Sequence, residues 1–280
     1  MTMIEFCHIA PTHHIECLTQ DNDSHLILAH LVEKDSIYRN YYSLLRDGKP
    51  KILDNSAYEM YRQGRPMYSS EKLVRMGEVV RADYIVMSDY PKERGCKTIR
   101  AAKNQIMDIK NAGFKTLFVP QSTTGDLDDY VSTFKWGIDH EDVNLVGVSI
   151  LGAPNAYGVD VDIKGDRFLA RWKLMHDLEN CGVINYSHKN KLHFLGMTDG
   201  AQEIRLLREF HHYIKSWDSS SAVWSGLNGV RYDESPTGLI NGKIDLDVDF
   251  NKRFESEALI KDALFNIKFI RGILDENQSR

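Results

Sequence analysis

The sequence has few cysteines and no long apolar stretch, and these absences exclude several protein classes. No two of the four cysteines have the CxC or CxxC spacing of a zinc ribbon or a dithiol redox motif. Four cysteines in 280 residues are also too few for a disulfide scaffold. No apolar run approaches the roughly 18 residues that span a bilayer, and the N-terminal residues show no basic stretch followed by an apolar core. We therefore expect a cytoplasmic protein with no membrane partner.

Phosphate-binding glycine motifs and charge blocks are also absent. No GxGxxG or GxxxxGK[ST] motif follows a predicted strand, which disfavours a doubly wound nucleotide-binding sheet. The 35 basic and 40 acidic residues give a formal net charge of −5, which argues against strong non-specific nucleic-acid binding but is compatible with a local basic groove. No linker interrupts the chain, so we predict one domain over residues 1–280.

Short apolar or β-branched runs alternate with helical patterns along the chain. Such alternation predicts βαβ units and a parallel sheet, and a strand count near eight favours a (β/α)8 TIM barrel. The predicted strands are residues 3–9, 26–29, 51–53, 84–87, 116–119, 145–150, 192–195 and 213–217. The predicted helices are residues 36–46, 70–81, 92–111, 126–134, 166–179 and 200–210, with a final amphipathic helix over about 255–274 that packs on the barrel.

The active site of such a barrel lies at the carboxyl ends of its strands. Asp54, Asp89 and Asp218 all stand at predicted strand ends, and Gln121 follows another. Carboxylates gathered in one pocket shift each other's pKa, which suits acid–base and nucleophilic roles. Any one of these aspartates could instead cap the next helix, at roughly even odds.

No metal or cofactor is expected. The pairs His13-His14 and His211-His212 invite a metal interpretation, but adjacent residues on a strand point to opposite faces, and no third ligand has matching spacing.

Six short motifs, in order between about residues 52 and 229, resemble the tRNA-guanine transglycosylases and their phage and bacterial relatives that place 7-deazaguanines in DNA. LDNSAY at 53–58 is similar to the family's D-S-G-G-[FY], and ADYIVMSDYP at 82–91 to its A-D-…-D-x-x-P run. VPQ at 119–121 is similar to its Q-G, and GVSILG at 147–152 to its glycine-rich strand end. FLGM at 194–197 is similar to its L-M-G-V, and WDS at 217–219 takes the place of its nucleophilic aspartate.

The chain also departs from that family. No cysteine follows Cys181, whereas the tRNA enzymes carry a C-x-C-x-x-C…H zinc subdomain after the nucleophile. This absence, and the shorter chain, favour the smaller phage-type branch that modifies DNA. Asn55, Ser56 and Ala57 replace the usual Ser-Gly-Gly, so the floor of the pocket is expected to differ.

The resemblance implies roles for individual residues. Asp218 would be the nucleophile at C1′ of the nucleoside and Asp54 the general acid and base. Asp89 and Gln121 would bind the Watson–Crick edge of the purine. The remaining base-binding positions would be Tyr58 on one face, Leu195 or Met197 on the other, and the backbone at Gly147, Ser149, Gly152 and Gly196. Whether His30 or Glu59 enters the pocket is left open.

A polynucleotide substrate needs phosphate contacts. The best candidates are Lys92, Arg94, Lys97 and Arg100, of which the last three have the spacing of one helical face. A solvated helix surface is the favoured alternative for such a charge run.

The implied partners are guanine-containing DNA (or RNA) and a free 7-deazaguanine base. Three hypotheses stay open: base exchange in DNA, base exchange or N-glycoside hydrolysis on tRNA or a free nucleoside or nucleotide, and a base-binding barrel without catalysis. The oligomeric state is not predicted.

Overall fold

A computed structural model describes residues 4–159, 166–197, 201–232 and 248–276. Its eight strands are parallel and follow the order β1-β8-β7-β6-β5-β4-β3-β2 in one sheet. This order gives a nearly closed barrel with helices between the strands, and it confirms the predicted (β/α)8 fold. The strands are β1 (Glu5–His8), β2 (His25–Leu28), β3 (Lys51–Asp54), β4 (Tyr84–Val86), β5 (Lys115–Phe118), β6 (Leu145–Ser149), β7 (Leu192–Leu195) and β8 (Ile214–Ser219).

Every predicted strand is present, with shifts of one to a few residues at its ends. Strand β8 extends to Ser219, so Asp218 lies inside the strand rather than after it. Met3 and Gly200, which belong to predicted elements, lie outside the described residues. The strands form because their side chains are buried on both faces by the barrel interior and the surrounding helices, as expected for a parallel sheet.

The long helices also match the prediction, with ends that shift by up to five residues. The helix predicted over 200–210 is not continuous, because α10 covers Gln202–Leu206 and a separate 3-10 helix covers Arg208–Phe210. The helix predicted from residue 92 begins at Gly95, and the helix predicted to stop at 134 continues to Asp139. The helices are α1 (Ile15–Leu18), α2 (Ala29–Lys34), α3 (Ser36–Leu44), α4 (Ala57–Arg62), α5 (Ser70–Val80), α6 (Gly95–Asn111), α7 (Leu127–Asp139), α8 (Gly152–Tyr157), α9 (Asp166–Asn180), α10 (Gln202–Leu206), α11 (Ser221–Leu227) and α12 (Glu257–Glu276).

Several short helices were not predicted, among them α4, α8 and α11. Each has six or seven residues, fewer than two full turns, so no hydrophobic periodicity can show in the sequence. All three begin directly beyond the carboxyl end of a strand. They therefore surround the rim where the candidate site lies.

Strand β1 is joined to the residues just before β2 by hydrogen bonds of Asn22 and Asp23, and no ladder between β1 and β2 is found in the described residues. Asn22 accepts a hydrogen bond from the amide of His8 at 2.8 Å and donates one to the carbonyl of His8 at 3.0 Å. Asp23 accepts from the amide of Phe6 at 3.0 Å, and the Asp23 amide donates to the Phe6 carbonyl. We call these contacts of Asn22 and Asp23 the β1–β2 seam.

Helix α12 packs against α11. A Cβ at Gly226 would lie 2.2 Å from the backbone nitrogen of Ala263, so only glycine permits this approach. The buried amide of Asn266 donates to the carbonyls of Ala222 and Val230. None of the helices in the described residues combines the length and apolar character needed to cross a membrane.

Candidate functional site

Three buried or half-buried aspartates stand at the carboxyl ends of β3, β4 and β8. Asp54 ends β3, Asp218 lies near the end of β8, and Asp89 follows β4. The negative charges of Asp218 and Asp89 both raise the pKa of Asp54, so the three groups share one electrostatic environment. None of the three side chains caps a helix, which removes the alternative interpretation. The structure brings them to one rim, as predicted.

The pKa of Asp54 is raised well above its usual value, which favours the protonated form. Burial is the largest cause of the rise in its pKa, and the charge of Glu59 is the second. The backbone amide of Ser56 donates to Oδ2 of Asp54 at 2.8 Å and opposes this rise. Because the pKa lies well above its usual value, Asp54 can give a proton to a neighbouring group and recover it.

His30 and Glu59 both lie beside Asp54. Nδ1 of His30 is 2.9 Å from Oγ of Ser56 and 4.0 Å from Oε2 of Glu59. Burial lowers the pKa of His30 to about 4, so its ring is neutral near pH 7. Burial also raises the pKa of Glu59. Glu59 thus acts on Asp54 through its charge, and His30 contacts Glu59 and Ser56; entry of either side chain into the pocket stays a prediction.

Asp89 is fixed by two amide side chains. Nδ2 of Asn55 donates to Oδ1 at 2.7 Å, and Nε2 of Gln121 donates to Oδ2 at 2.6 Å. Burial raises the pKa of Asp89 to about 6, although these two donors act in the opposite direction. The carboxylate is therefore ionised near neutral pH. The backbone amide of Asp89 is a third donor to the carboxylate, and the lone pairs that stay free can accept a hydrogen bond from a ligand.

Asp218 is bound from inside the barrel by a histidine. Nε2 of His193, on β7, lies 3.1 Å from Oδ1 of Asp218, and the amide of Gly196 lies 3.4 Å from Oδ2. Nδ1 of His193 lies 2.8 Å from Oγ of Ser216. The parallel register sets Leu195 opposite Asp218 and His193 opposite Ser216, which accounts for these contacts.

The ends of β6 and β7 supply backbone and small side chains. Oγ of Ser149 accepts from the amides of Leu151 and Gly152 at 3.2 Å. Gly196 has a φ of 74°, a conformation that favours glycine, and a Cβ there would lie 2.6 Å from Ile150. Gly147 lies deeper in β6, where a Cβ would lie 2.6 Å from Leu195.

The remaining predicted contacts differ in how far they are buried. Met197 is buried and Leu195 is half-buried next to Asp218. Tyr58, on α4, is 46% exposed and stacks with Arg62, whose guanidinium carbon lies 5.7 Å from the ring centroid. Its ring is thus at the surface of the rim and is not enclosed by the barrel.

The basic residues after β4 are all exposed. Lys97 pairs with Glu93 at 3.2 Å and lies 4.3 Å from the centre of the Tyr90 ring. Lys92 and Arg94 precede α6, and Arg100 lies within it. Both phosphate binding and simple solvation fit this arrangement, so the role of these residues stays a prediction.

His193, Ser216 and the bridging role of Asn55 were missed by the sequence reasoning. Asn55 also donates to the carbonyl of Met87 at 2.6 Å and accepts from the amide of Ala57 at 2.8 Å, so it ties the end of β3 to the end of β4. The signal for His193 was its position two residues before Leu195 on the same strand. Side chains two apart share a face, so His193 points into the barrel below the rim.

No group of three His, Cys, Asp or Glu side chains that could hold a metal ion is found in the described residues. No model of a known protein family matches the chain, and no curated protein matches it at a significant level. The chemistry of the site therefore has to be argued from its geometry: Asp218 beside His193 and Gly196, Asp54 with a raised pKa, and Asp89 fixed by two amide side chains.

Proposed function

We propose that the chain is a transglycosylase that exchanges guanine for a 7-deazaguanine in DNA through a covalent aspartyl–glycosyl intermediate. The observation that carries the proposal is the contrast between Asp54 and Asp218. Asp54 has a pKa raised by burial and by neighbouring carboxylates, whereas Asp218 accepts hydrogen bonds from His193 and Gly196. Two carboxyl groups in different environments can divide acid and nucleophile roles between them, as in retaining glycosidases.

The first half of the reaction forms the intermediate. An oxygen of the Asp218 carboxylate attacks C1′ while the bond from C1′ to the guanine nitrogen breaks, and the electron pair of that bond goes to the base. Asp54 gives its proton to the leaving base. An ionised carboxylate stabilises the oxocarbenium-like transition state of this step.

The second half returns the enzyme to its starting state. The ring N–H of the incoming 7-deazaguanine gives its proton to Asp54, and the nitrogen attacks C1′. The bond between C1′ and Asp218 breaks, and its electron pair restores the carboxylate. The raised pKa of Asp54 makes it a suitable acceptor for this proton.

Asp89 and Gln121 are the proposed readers of the base. The free lone pairs of Asp89 can accept hydrogen bonds from N1–H and from the exocyclic amine of a guanine-like ring. Gln121 and Asn55 hold the carboxylate in place for this purpose. Because a base inside a duplex is out of reach, DNA has to present it flipped or single-stranded.

Transfer of a labelled base tests this function. Purified protein is incubated with guanine-containing single-stranded DNA and a radiolabelled 7-deazaguanine, and label in the DNA is counted. We expect transfer by the wild type, and a loss of about 10³-fold or more in Asp218→Ala. Asp128→Asn, at an exposed position on α7, serves as the control and should keep full activity.

The other outcomes distinguish the competing functions. Label that enters free deoxyguanosine or tRNA but not DNA changes the acceptor and keeps the site. Transfer by Asp218→Ala removes the nucleophile assignment. Binding of the base without transfer to any acceptor indicates a base-binding barrel and contradicts the proposal.

A further inference from the structure

His193 is buried within the barrel directly below the proposed nucleophile. Its side chain is 1% exposed, and its two ring nitrogens contact Ser216 and Asp218. Both partners lie on β8, two residues apart, so the ring runs parallel to that strand and bridges them. The proposed acid–base steps do not use this histidine.

The chemistry of Asp218, His193 and Ser216 determines which ring nitrogen of His193 carries the hydrogen. The proposed nucleophile is an ionised carboxylate, which only accepts hydrogen bonds, so in the proposed reaction Nε2 of His193 carries the proton in its contact with Asp218. In a neutral ring Nδ1 is then an acceptor, and the hydroxyl of Ser216 donates to it. All three polar groups are satisfied in this arrangement, as buried groups must be.

The two oxygens of Asp218 are consequently unequal. Oδ1 receives the Nε2–H of His193 at 3.1 Å, whereas Oδ2 has only the longer contact of 3.4 Å with the Gly196 amide among the hydrogen bonds of the described residues. Cys7, on β1, is the residue paired with Asp218 in the register of β1 and β8. Burial and the Asp218 charge raise the pKa of its thiol. Cys7 therefore remains a neutral neighbour.

We infer that His193 is a positioning residue for the proposed base exchange: it holds Oδ1 of Asp218 and so presents Oδ2 to C1′. This inference rests on the proposed function. The bond formed joins Oδ2 to C1′, and Oδ1 becomes the carbonyl oxygen of the ester, still facing Nε2–H. When the incoming base breaks the ester, the returning negative charge is stabilised by the same N–H, with no proton transferred by the histidine.

Two amide substitutions of similar size separate this role from simple packing. The amide nitrogen of His193→Gln reaches about the place of Nε2 and can still donate to Asp218. The amide of His193→Asn lies about where Nδ1 stood and can bond only Ser216. We expect His193→Gln to keep kcat within about tenfold of the wild type and His193→Asn to lose about 100-fold. The KM for the free base should be unchanged in both, because neither variant touches Asp89 or Gln121.

The results that overturn the inference are specific. Equal kcat values in the two variants, with both folded by circular dichroism, show that the histidine only fills space. A wild-type kcat in His193→Asn shows that the hydrogen bond to Asp218 does not matter.

A second measurement separates failure of this inference from failure of the proposed function. Should the wild type exchange no base at all, the ¹⁵N spectrum of the His193 ring still decides the hydrogen-bond assignment. A ring protonated at Nε2 and bare at Nδ1 supports it, and a ring protonated at Nδ1 and bare at Nε2 contradicts it. Asp218→Ala should remove the slowly exchanging Nε2–H signal.

Discussion

At Ser56, beside the proposed acid, the backbone has a left-handed conformation that few residues other than glycine adopt. Its φ is 56°, and glycine holds the matching position in the resembled D-S-G-G-[FY] motif. A side chain in this region costs roughly 1–2 kcal/mol. The hydroxyl compensates, because Oγ accepts a hydrogen bond from the amide of His30 at 3.1 Å and pairs with its Nδ1 at 2.9 Å.

Two substitutions at Ser56 separate the cost of its left-handed backbone from the stabilisation by the hydrogen bonds of its hydroxyl. Ser56→Ala loses both hydrogen bonds and keeps the strain, so we expect the free energy of unfolding to fall by about 2–3 kcal/mol. Ser56→Gly loses the same bonds but relieves the strain, so it should be about 1 kcal/mol more stable than Ser56→Ala. Urea denaturation measures both values. Ser36→Ala, at an exposed position on α3, is the control, and an alanine variant as stable as the glycine variant contradicts the strain argument.

Single positions differ in how well the sequence predicts them. Asp54, Asp89 and Asp218 could be predicted because strand ends of a parallel barrel share one rim. The inward direction of His193 could be predicted from its spacing to Leu195, but its contacts could not, because Ser216 and Asp218 lie on another strand and the pairing depends on a register that no local pattern contains. The same holds for Asn55, whose bond to Asp89 joins two separate loops.

At the scale of elements, one buried arginine joins a helix to the rim. Arg171, on α9, is fully buried and donates to both carboxylate oxygens of Glu203, on α10, at 2.6 Å. It also donates to the carbonyls of Leu195 and Gly196, at the end of β7, at 3.0 and 2.7 Å. Its guanidinium carbon lies 5.2 Å from the ring centre of Trp217. The end of β7 is thus held from outside the barrel.

Loss of this arginine should destabilise the whole domain. Arg171→Leu removes the two hydrogen bonds of the guanidinium to the buried Glu203 carboxylate, so the free energy of unfolding should fall by about 3–5 kcal/mol. Lys135→Ala breaks an exposed pair with Asp139 on α7 and should cost no more than about 0.5 kcal/mol. Thermal and urea denaturation compare the two. Equal effects would mean that burial does not set the strength of the Arg171 pair.

Long helices were predicted from the sequence more accurately than short ones. The long helices α5, α6, α9 and α12 carry several turns of amphipathic pattern, and all four were found close to their predicted ends. Helices α4, α8 and α11 were missed because their six or seven residues carry no readable period. These three short helices lie at the rim. The part of the fold near the site is therefore the part whose secondary structure was hardest to predict from the sequence.

At the scale of the molecule, the gap between β1 and β2 is closed by hydrogen bonds of Asn22 and Asp23 and not by a strand ladder. Seven neighbouring pairs of strands form backbone ladders, whereas β1 and β2 are joined by the β1–β2 seam. Helix α12 supports this place, since Arg271 pairs with Asp23 at 2.7 Å and donates to the carbonyl of Asp21 at 2.8 Å. Strand β1 also pairs with β8, the strand that carries Asp218. The seam therefore helps to hold β8 in place through β1.

Asn22 is the residue of the seam whose loss should cost most. Asn22→Ala leaves both the amide and the carbonyl of His8 buried without a partner, so we expect the free energy of unfolding to fall by about 2–4 kcal/mol. Asn40→Ala, at an exposed position on α3, removes the same side chain without a buried partner and should change stability by less than about 0.5 kcal/mol. Hydrogen exchange gives the location of the effect: the amide of His8 should lose protection more than the amides of β5 and β6, which lie across the barrel from the seam. Unchanged stability in Asn22→Ala would show that packing of the surrounding helices, and not these hydrogen bonds, closes the barrel.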